Sequence, residues 1–166
     1  MPWARHQVLA VALSGGTGGG TYPRRGLYSI GGYADVPLLD AFRSNLRQSG
    51  FRLRGYYPGQ FAGNDFNLVN VEYRTPLWYV DHGVSTLPVF LRTLSGTLFF
   101  DYGAAYDRLD LKDPLALFHA GVGAELWLDL FVGYYISGNL RVGVAKGVDS
   151  TDPHGPQTYT VLSTAF

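Results

Sequence analysis

Six segments of the chain alternate between apolar and polar residues, and this period of two constrains the fold more than any other feature. The clearest segment is LVNVEYRTPLW, in which Val69, Val71 and Tyr73 fall on one side and Asn70 and Glu72 on the other. Successive side chains of a strand point to opposite faces of a sheet, so each segment predicts a strand with two unlike faces. The six segments are RHQVLAVALSGG, LVNVEYRTPLW, LPVFLRTLSGTLFFDYGAAYD, LFHAGVGAELWLDL, NLRVGVAKG and QTYTVLSTAF.

The composition favours the same all-β class. The chain has 22 Gly, 12 Tyr and 10 Phe but only one Met, so it is rich in sheet and turn residues and poor in helix formers. Its 166 residues suit one domain, and its zero net charge gives no reason to expect nucleic acid as a partner. The absence of cysteine excludes disulfides, thiol catalysis and thiolate metal sites.

No long apolar stretch predicts a transmembrane helix. Such a helix needs about 18 consecutive apolar residues, and no segment of the chain reaches that length. The N-terminal run MPWARHQVLAVALSGG has a short apolar part that could be taken for a signal peptide, but no clear cleavage box follows it. We therefore expect that Met1 is not the natural start of the protein.

The alternation leaves open which face of the sheet is covered by protein. In a water-soluble sheet the apolar face packs inside, whereas in a transmembrane barrel it meets lipid and the lumen holds polar residues. Three features favour the barrel: strands of at least the roughly 9–11 residues needed to cross a bilayer, alternating short and long connections, and aromatic residues at strand ends. These aromatic residues are Trp3, Trp78, Tyr79, Tyr134 and Tyr135. The sequence predicts an antiparallel transmembrane β-barrel segment of about six strands.

One connection, from about residue 14 to residue 64, is far longer than the others. Its first part, SGGTGGGTYPRRG, is flexible by composition and lacks the lysine and helix of a phosphate-binding loop. Its last part, FRLRGYYPGQFAGND, holds too many aromatic rings to stay in solvent, so we expect it to fold back onto the protein. One or two turns of amphipathic helix are predicted in its middle part, from Val36, Leu38, Leu39, Phe42 and Leu46.

Five motifs follow one another along the chain before it ends on a phenylalanine: GLYSIGGY, FRLRGY, NVEYRTPL, GTLFFDYGAAYD and GVGAELWLDL. This series resembles the C-terminal part of the barrel in the BamA/TamA superfamily of outer-membrane assembly factors, also called bacterial surface antigens. The LRGY tip, the VEYRTPL strand and the FDYG strand are the specific motifs, whereas the terminal Phe and the alternation are shared by most outer-membrane barrels. The resemblance implies a barrel whose long loop enters the lumen.

The resemblance also assigns a site to the tip of this loop, which consists of Leu53, Arg54, Gly55 and Tyr56. In that family the arginine of the tip pairs inside the lumen with acidic groups on the two following strands. Carried over to this chain, the partners of Arg54 are Glu72 and Asp101. Independently of the resemblance, the alternation places both carboxylates on the polar faces of their strands.

The last predicted strand, Gln157 to Phe166, has a separate role in the resemblance. It forms one side of the seam between the first and last strands of the barrel, and its assigned residues are Tyr159, Leu162 and Phe166. The chain departs from the family by inserting ADVPLLDAFRSNLRQSG before the LRGY tip. It also has fewer than the eight or so strands of a single-chain barrel, so we expect residues 1–166 to be the C-terminal part of a larger barrel.

Other interpretations of the candidate residues are possible. Arg54 could be a surface loop residue, and Glu72 with Asp101 could be a catalytic carboxylate pair, although no nucleophile or base cluster accompanies them. Four histidines are scattered without metal-ligand spacing, namely His6, His82, His119 and His154. We therefore expect no enzymatic activity, no cofactor and no metal.

The expected function is part of a protein insertion or translocation barrel in the bacterial outer membrane. In the insertases that the chain resembles, a weak seam opens laterally and the edge strand templates a client strand by β-augmentation. The expected partners are the lipid bilayer, unfolded outer-membrane protein clients and periplasmic accessory domains. Two alternatives stay open: a small β-barrel that closes alone around an apolar ligand, and a structural surface antigen without clients.

Overall fold

The described part of the chain consists mainly of β-strands. A computed structural model describes residues 6–19, 27–33, 51–107, 114–133, 135–149 and 155–165. The strands are β1 Val8–Thr17, β2 Tyr28–Ile30, β3 Phe61–Gly63, β4 Asp65–Gly83, β5 Val89–Tyr106, β6 His119–Val132, β7 Ile136–Gly147 and β8 Gln157–Ala165. One short 3-10 turn, Pro114–Leu117, precedes β6. Within these ranges no helix is long and apolar enough to cross a membrane. The predicted all-β class is confirmed.

Six of the strands form one antiparallel sheet in the order β1-β4-β5-β6-β7-β8, and β2 pairs with β3 in a separate two-stranded sheet. The six large strands are those that the alternation predicts. β1 and β8 lie at opposite edges and do not pair with each other, so the sheet is not closed into a barrel. Among the described residues, each edge strand therefore has a sheet partner on one side of its backbone only.

The long connection differs from its predicted bounds. β1, whose predicted segment ends at Gly16, continues to Thr17, and β2 and β3 are strands inside the segment expected to be a loop. Residues 14–17 of the glycine-rich run pair with β4 because a β-ladder needs only backbone groups, and Gly16 faces the rings of Phe66 and Tyr28, where a Cβ would lie 2.7 and 2.9 Å from ring atoms. The amphipathic turns predicted between Val36 and Leu46 lie outside the described residues.

The two faces of the large sheet differ in polarity. On β5, Thr97, Phe99 and Asp101 are buried beneath the 51–64 loop, whereas Leu98 and Phe100, which alternate with them, are 62% and 42% exposed. We call the first side the covered face and the second the apolar face. The exposed apolar side chains of the second side are Leu9, Val11, Leu13, Tyr73, Leu77, Leu98, Phe100, Val122, Leu126, Val142 and Val144.

The buried apolar cluster lies at one end of the covered face, between β4 and the long connection. It joins Ile30 of β2, Leu53 and Tyr56 of the loop, and Phe66 and Leu68 of β4. Each fully buried side chain of this kind contributes about 1.5–3 kcal/mol. The cluster therefore attaches the loop tip to the sheet beside the charged residues described next.

Candidate functional site

The loop tip is attached to the Gly31 and Gly32 pair that precedes the inserted segment. Leu53 N–H donates to the carbonyl of Gly31 at 2.9 Å, and Gly32 N–H donates to the carbonyl of Tyr57 at 3.3 Å. A Cβ on Gly31 or Gly32 would lie 2.2 or 2.1 Å from the carbonyl oxygens of Tyr57 and Tyr56. Both positions need glycine because two backbone segments touch there.

The turn at Gly55 brings the tip against the backbone of the sheet. Gly55 has φ +98°, and a Cβ there would lie 2.5 Å from the carbonyl carbon of Lys146 on β7. On β6, a Cβ at Gly121 would lie 1.9 Å from the carbonyl oxygen of Arg54. Glycine is thus required on both sides of the contact, in the loop and in the strand, because no side chain fits between them.

Arg54 occupies the centre of a buried ionic cluster. Its Nε and Nη2 donate to the two carboxylate oxygens of Asp101, each at 2.7 Å, which is a bidentate fork. Its Nη1 lies 2.9 Å from Oε1 of Glu72 and 3.0 Å from Oε1 of Glu125. The guanidinium carbon stands 3.6 Å from the ring centroid of Phe99. One side chain therefore connects β4, β5 and β6.

The cluster is closed to water. Arg54 is 3% exposed, Asp101 0% and Glu125 2%. Burial disfavours the charged guanidinium, but the hydrogen bonding that it donates to Asp101 and the charges of Asp101, Glu125 and Glu72 outweigh burial and raise the pKa of Arg54 above its ordinary value. Arg54 therefore remains a cation wherever the protein is folded.

A second set of donors satisfies the three carboxylates. Asp101 also accepts from the backbone N–H of Arg54 at 3.0 Å and from Asn70 Nδ2 at 2.7 Å. Glu125 accepts from Trp127 Nε1 and from the hydroxyl of Tyr159, both at 2.6 Å. Glu72 accepts from Arg74, its neighbour on the covered face. Tyr159 brings the edge strand β8 into the same network.

A second contact fixes the aromatic residue of the tip. The Tyr56 hydroxyl donates to Oδ2 of Asp149 at 2.6 Å, and Nδ1 of His119 lies 2.8 Å from the same oxygen. Phe61 stacks on the His119 ring at a centroid distance of 3.9 Å. The tip is thus held both by the ionic cluster and by the ends of β6 and β7.

The structure brings together the three residues that the resemblance assigned to one site, Arg54, Glu72 and Asp101. Leu53 is in the buried apolar cluster, and Gly55 and Tyr56 form the tip. Of the seam residues, Tyr159 points into the covered face, Leu162 pairs across the ladder with Leu140, and Phe166 lies beyond the described residues.

Sequence reasoning missed Glu125 as a third carboxylate of the cluster. The signal was present, because Glu125 is the second of only two glutamates in the chain and lies on the polar side of its strand. What was lacking was the register, which sets Glu125 opposite Thr97, four residues along β5 from Asp101. Thr97 Oγ1 is buried without a hydrogen-bond partner among the described atoms.

The ionic cluster is suited to holding the loop tip in a fixed position on the sheet. The carboxylates and the guanidinium satisfy one another, so the cluster ties the loop to β4, β5, β6 and β8. No group of three or more His, Asp or Glu side chains within the described ranges is placed to hold a metal ion. Comparisons of the chain with protein-family models, with curated proteins and with solved structures found no match.

Proposed function

We propose that the chain is part of an outer-membrane barrel of the BamA/TamA type, which inserts or translocates proteins by opening a seam and templating client strands. The observation that carries this proposal is the reversed polarity of the sheet. Charged residues are buried on the covered face, and large apolar residues are exposed on the apolar face. A sheet in water has the opposite arrangement, whereas a sheet in lipid has this one.

The dimensions of the sheet support a membrane location. β4, β5 and β6 have 19, 18 and 14 residues, which exceeds the roughly 9–11 residues that a tilted strand needs to cross a bilayer. Trp78 and Tyr79, which are 65% and 55% exposed, lie toward the end of β4, where an interfacial aromatic girdle would stand. An apolar face as extended as this one typically meets lipid or another protein.

The open edges support a role in strand templating. Unpaired backbone groups are too costly in hydrocarbon, so in a bilayer both β1 and β8 require partner strands. A free or weakly paired edge is also the surface to which an extended client segment adds by β-augmentation. In this proposal β8 is the seam strand, and a client strand pairs with it while the barrel is open.

The Arg54 cluster would stabilise the wall during this movement. A single loop residue links three strands directly and the edge strand β8 through Glu125 and Tyr159. The strands next to the seam would keep their register while β8 changes partner. The alternative of a small barrel around an apolar ligand gains no support, since the sheet is open and its covered face is charged.

Reconstitution tests the function. The protein, extracted from membranes in mild detergent and returned to phospholipid vesicles, is mixed with a urea-denatured outer-membrane barrel as client. We expect faster client folding, measured by protease protection, than in protein-free vesicles, and a loss of this acceleration in Arg54→Ala. Arg92→Ala, at an exposed arginine of β5 outside the cluster, is the matched control. Folding no faster than in empty vesicles would overturn the proposal.

A further inference from the structure

A cavity of about 250 Å³ lies on the covered face between β1 and the loop. Small side chains of β1 form one wall, namely Ala10, Ala12 and Ser14. Four arginines line the rest together with a single described carboxylate, and these residues are Arg52, Arg54, Arg74, Arg141 and Glu72. The cavity is therefore strongly cationic in its lining.

Two of these arginines have no carboxylate partner within 4.0 Å in the part of the chain that the structure describes. Arg54 is saturated by its cluster, and Arg74 donates through Nε and Nη2 to Glu72. In contrast, Arg52 donates through Nη1 to the hydroxyl of Tyr33 at 3.0 Å, and Arg141 donates through Nε to Oδ1 of Asn139 at 3.0 Å. Both partners are neutral, so among the described residues neither guanidinium is paired directly with a carboxylate.

Aromatic rings hold these guanidinium groups in place. The guanidinium carbon of Arg52 lies 4.4 Å from the ring centroid of Tyr33. Trp127 stacks with two arginines, with Arg74 at 4.3 Å and Arg141 at 3.6 Å. Stacking fixes the plane of a guanidinium and leaves its N–H edge available to an acceptor. The donors are thus positioned before any ligand arrives.

The stacking also places like charges close together. Because Arg74 and Arg141 share one ring, their guanidinium carbons lie within about 8 Å of each other. That separation is below the Debye length of about 10 Å at 0.1 M salt, so the repulsion is not screened away. An anion bound near both arginines would reduce this repulsion and accept from N–H groups that the ring does not cover.

We propose that this cavity binds a phosphate group through Arg52, Arg74 and Arg141. A phosphate offers several acceptor oxygens and up to two negative charges, which suits the stacked guanidinium groups of Arg52 and Arg141, and the part of Arg74 not bound to Glu72, better than a single carboxylate does. The volume is below the roughly 300–1,000 Å³ of sites for drug-sized ligands, so it suits one small group. The group comes from free phosphate or from a phosphorylated lipid headgroup. The site does not depend on an insertase function.

Binding measurements test the site with two probes. The protein in mild detergent is titrated calorimetrically with inorganic phosphate, and in a parallel arm with micelles that contain phosphatidic acid or, as a control, phosphatidylcholine. We expect saturable binding of inorganic phosphate, of phosphatidic acid or of both, and none of phosphatidylcholine. Binding in the first arm assigns a free anion, and binding in the second arm alone assigns a lipid headgroup.

Charge-matched variants separate a defined site from general attraction. Arg52→Gln and Arg141→Gln should each weaken binding about tenfold, since each removes a charge-assisted hydrogen bond. Arg92→Gln removes the same charge outside the cavity and should leave the affinity unchanged. Arg141→Lys keeps the charge but loses the stacked fork, so it should also weaken binding. This conservative variant serves as a second measurement in case the glutamine variant misfolds. Equal weakening by Arg92→Gln, or no saturable binding in either arm, overturns the proposal.

Discussion

Replacement of Arg54 by alanine is the most informative perturbation of this protein. The change removes the fork to Asp101, the contacts to Glu72 and Glu125, and the stacking on Phe99. It leaves Asp101, which is 0% exposed, and Glu125, which is 2% exposed, without their cation. The carboxylates must then stay charged in a poorly solvated place, take up protons, or move toward water.

The expected loss of unfolding free energy follows from what remains around these carboxylates. Removing one partner of a buried ion pair typically costs about 3–5 kcal/mol. Asp101 keeps Asn70, and Glu125 keeps Trp127 and Tyr159, so the stranded charges are partly solvated by hydrogen bonds. We therefore expect the middle of that range, about 4 kcal/mol, which is roughly a thousandfold in the folding equilibrium.

Urea unfolding of the protein in phospholipid vesicles, followed by tryptophan fluorescence, measures this loss. Arg54→Lys keeps the charge but loses the bidentate fork, so it should recover less than half of the stability. Adding Asp101→Asn to Arg54→Ala removes a stranded charge and should return part of the loss, about 1–2 kcal/mol in a double-mutant cycle. Arg92→Ala, at an exposed arginine of β5, should behave like the wild type.

Two results would refute this reasoning. A loss below about 1 kcal/mol for Arg54→Ala would place it among ordinary surface substitutions and mean that the buried cluster does not form. Full recovery by Arg54→Lys would mean that only the charge of Arg54 matters and not the geometry of its fork with Asp101.

Three further predictions concern the loop, the edge strand and the orientation. Gly55→Ala should destabilise the protein by about 2 kcal/mol more than Gly133→Ala in the same urea assay, because both have positive φ but only the first meets backbone atoms. Tyr159→Phe removes the hydrogen bond from β8 to Glu125 on β6, so it should raise the rate of amide hydrogen exchange in β8 about tenfold and leave the rate in β1 unchanged. An exchange rate in β8 equal to that of the wild type would contradict the link to β6. Outer-membrane barrels have short periplasmic turns and longer outer loops, so we expect the long connection to face the cell exterior and the turn between β4 and β5 to face the periplasm. In intact cells, a water-soluble maleimide should then label Gly18→Cys and not His82→Cys, whereas reversed labelling would refute this orientation.

The local pattern of the sequence was sufficient for the six large strands and for which of their residues share a face, but not for the short strands β2 and β3. Alternation is a property of neighbouring residues, so it placed Glu72 and Asp101 on the polar side without any knowledge of the sheet. The LRGY tip and its aromatic surroundings likewise indicated a loop that packs on the protein. The composition of the glycine-rich run suggests flexibility, whereas its first four residues, 14–17, pair with β4.

Only the tertiary structure decided the membership of the cluster and the state of the sheet. Glu125 reaches Arg54 because of the register between β5 and β6. Gly121, which has no side chain, also allows the loop tip to approach the sheet closely. Tyr159 joins the cluster because β8 lies beside β7, and from there the Tyr159 hydroxyl reaches Glu125 on β6. The open edges at β1 and β8 depend on pairing between strands distant in sequence. Such contacts are set by the geometry of the whole sheet, and no local pattern encodes them.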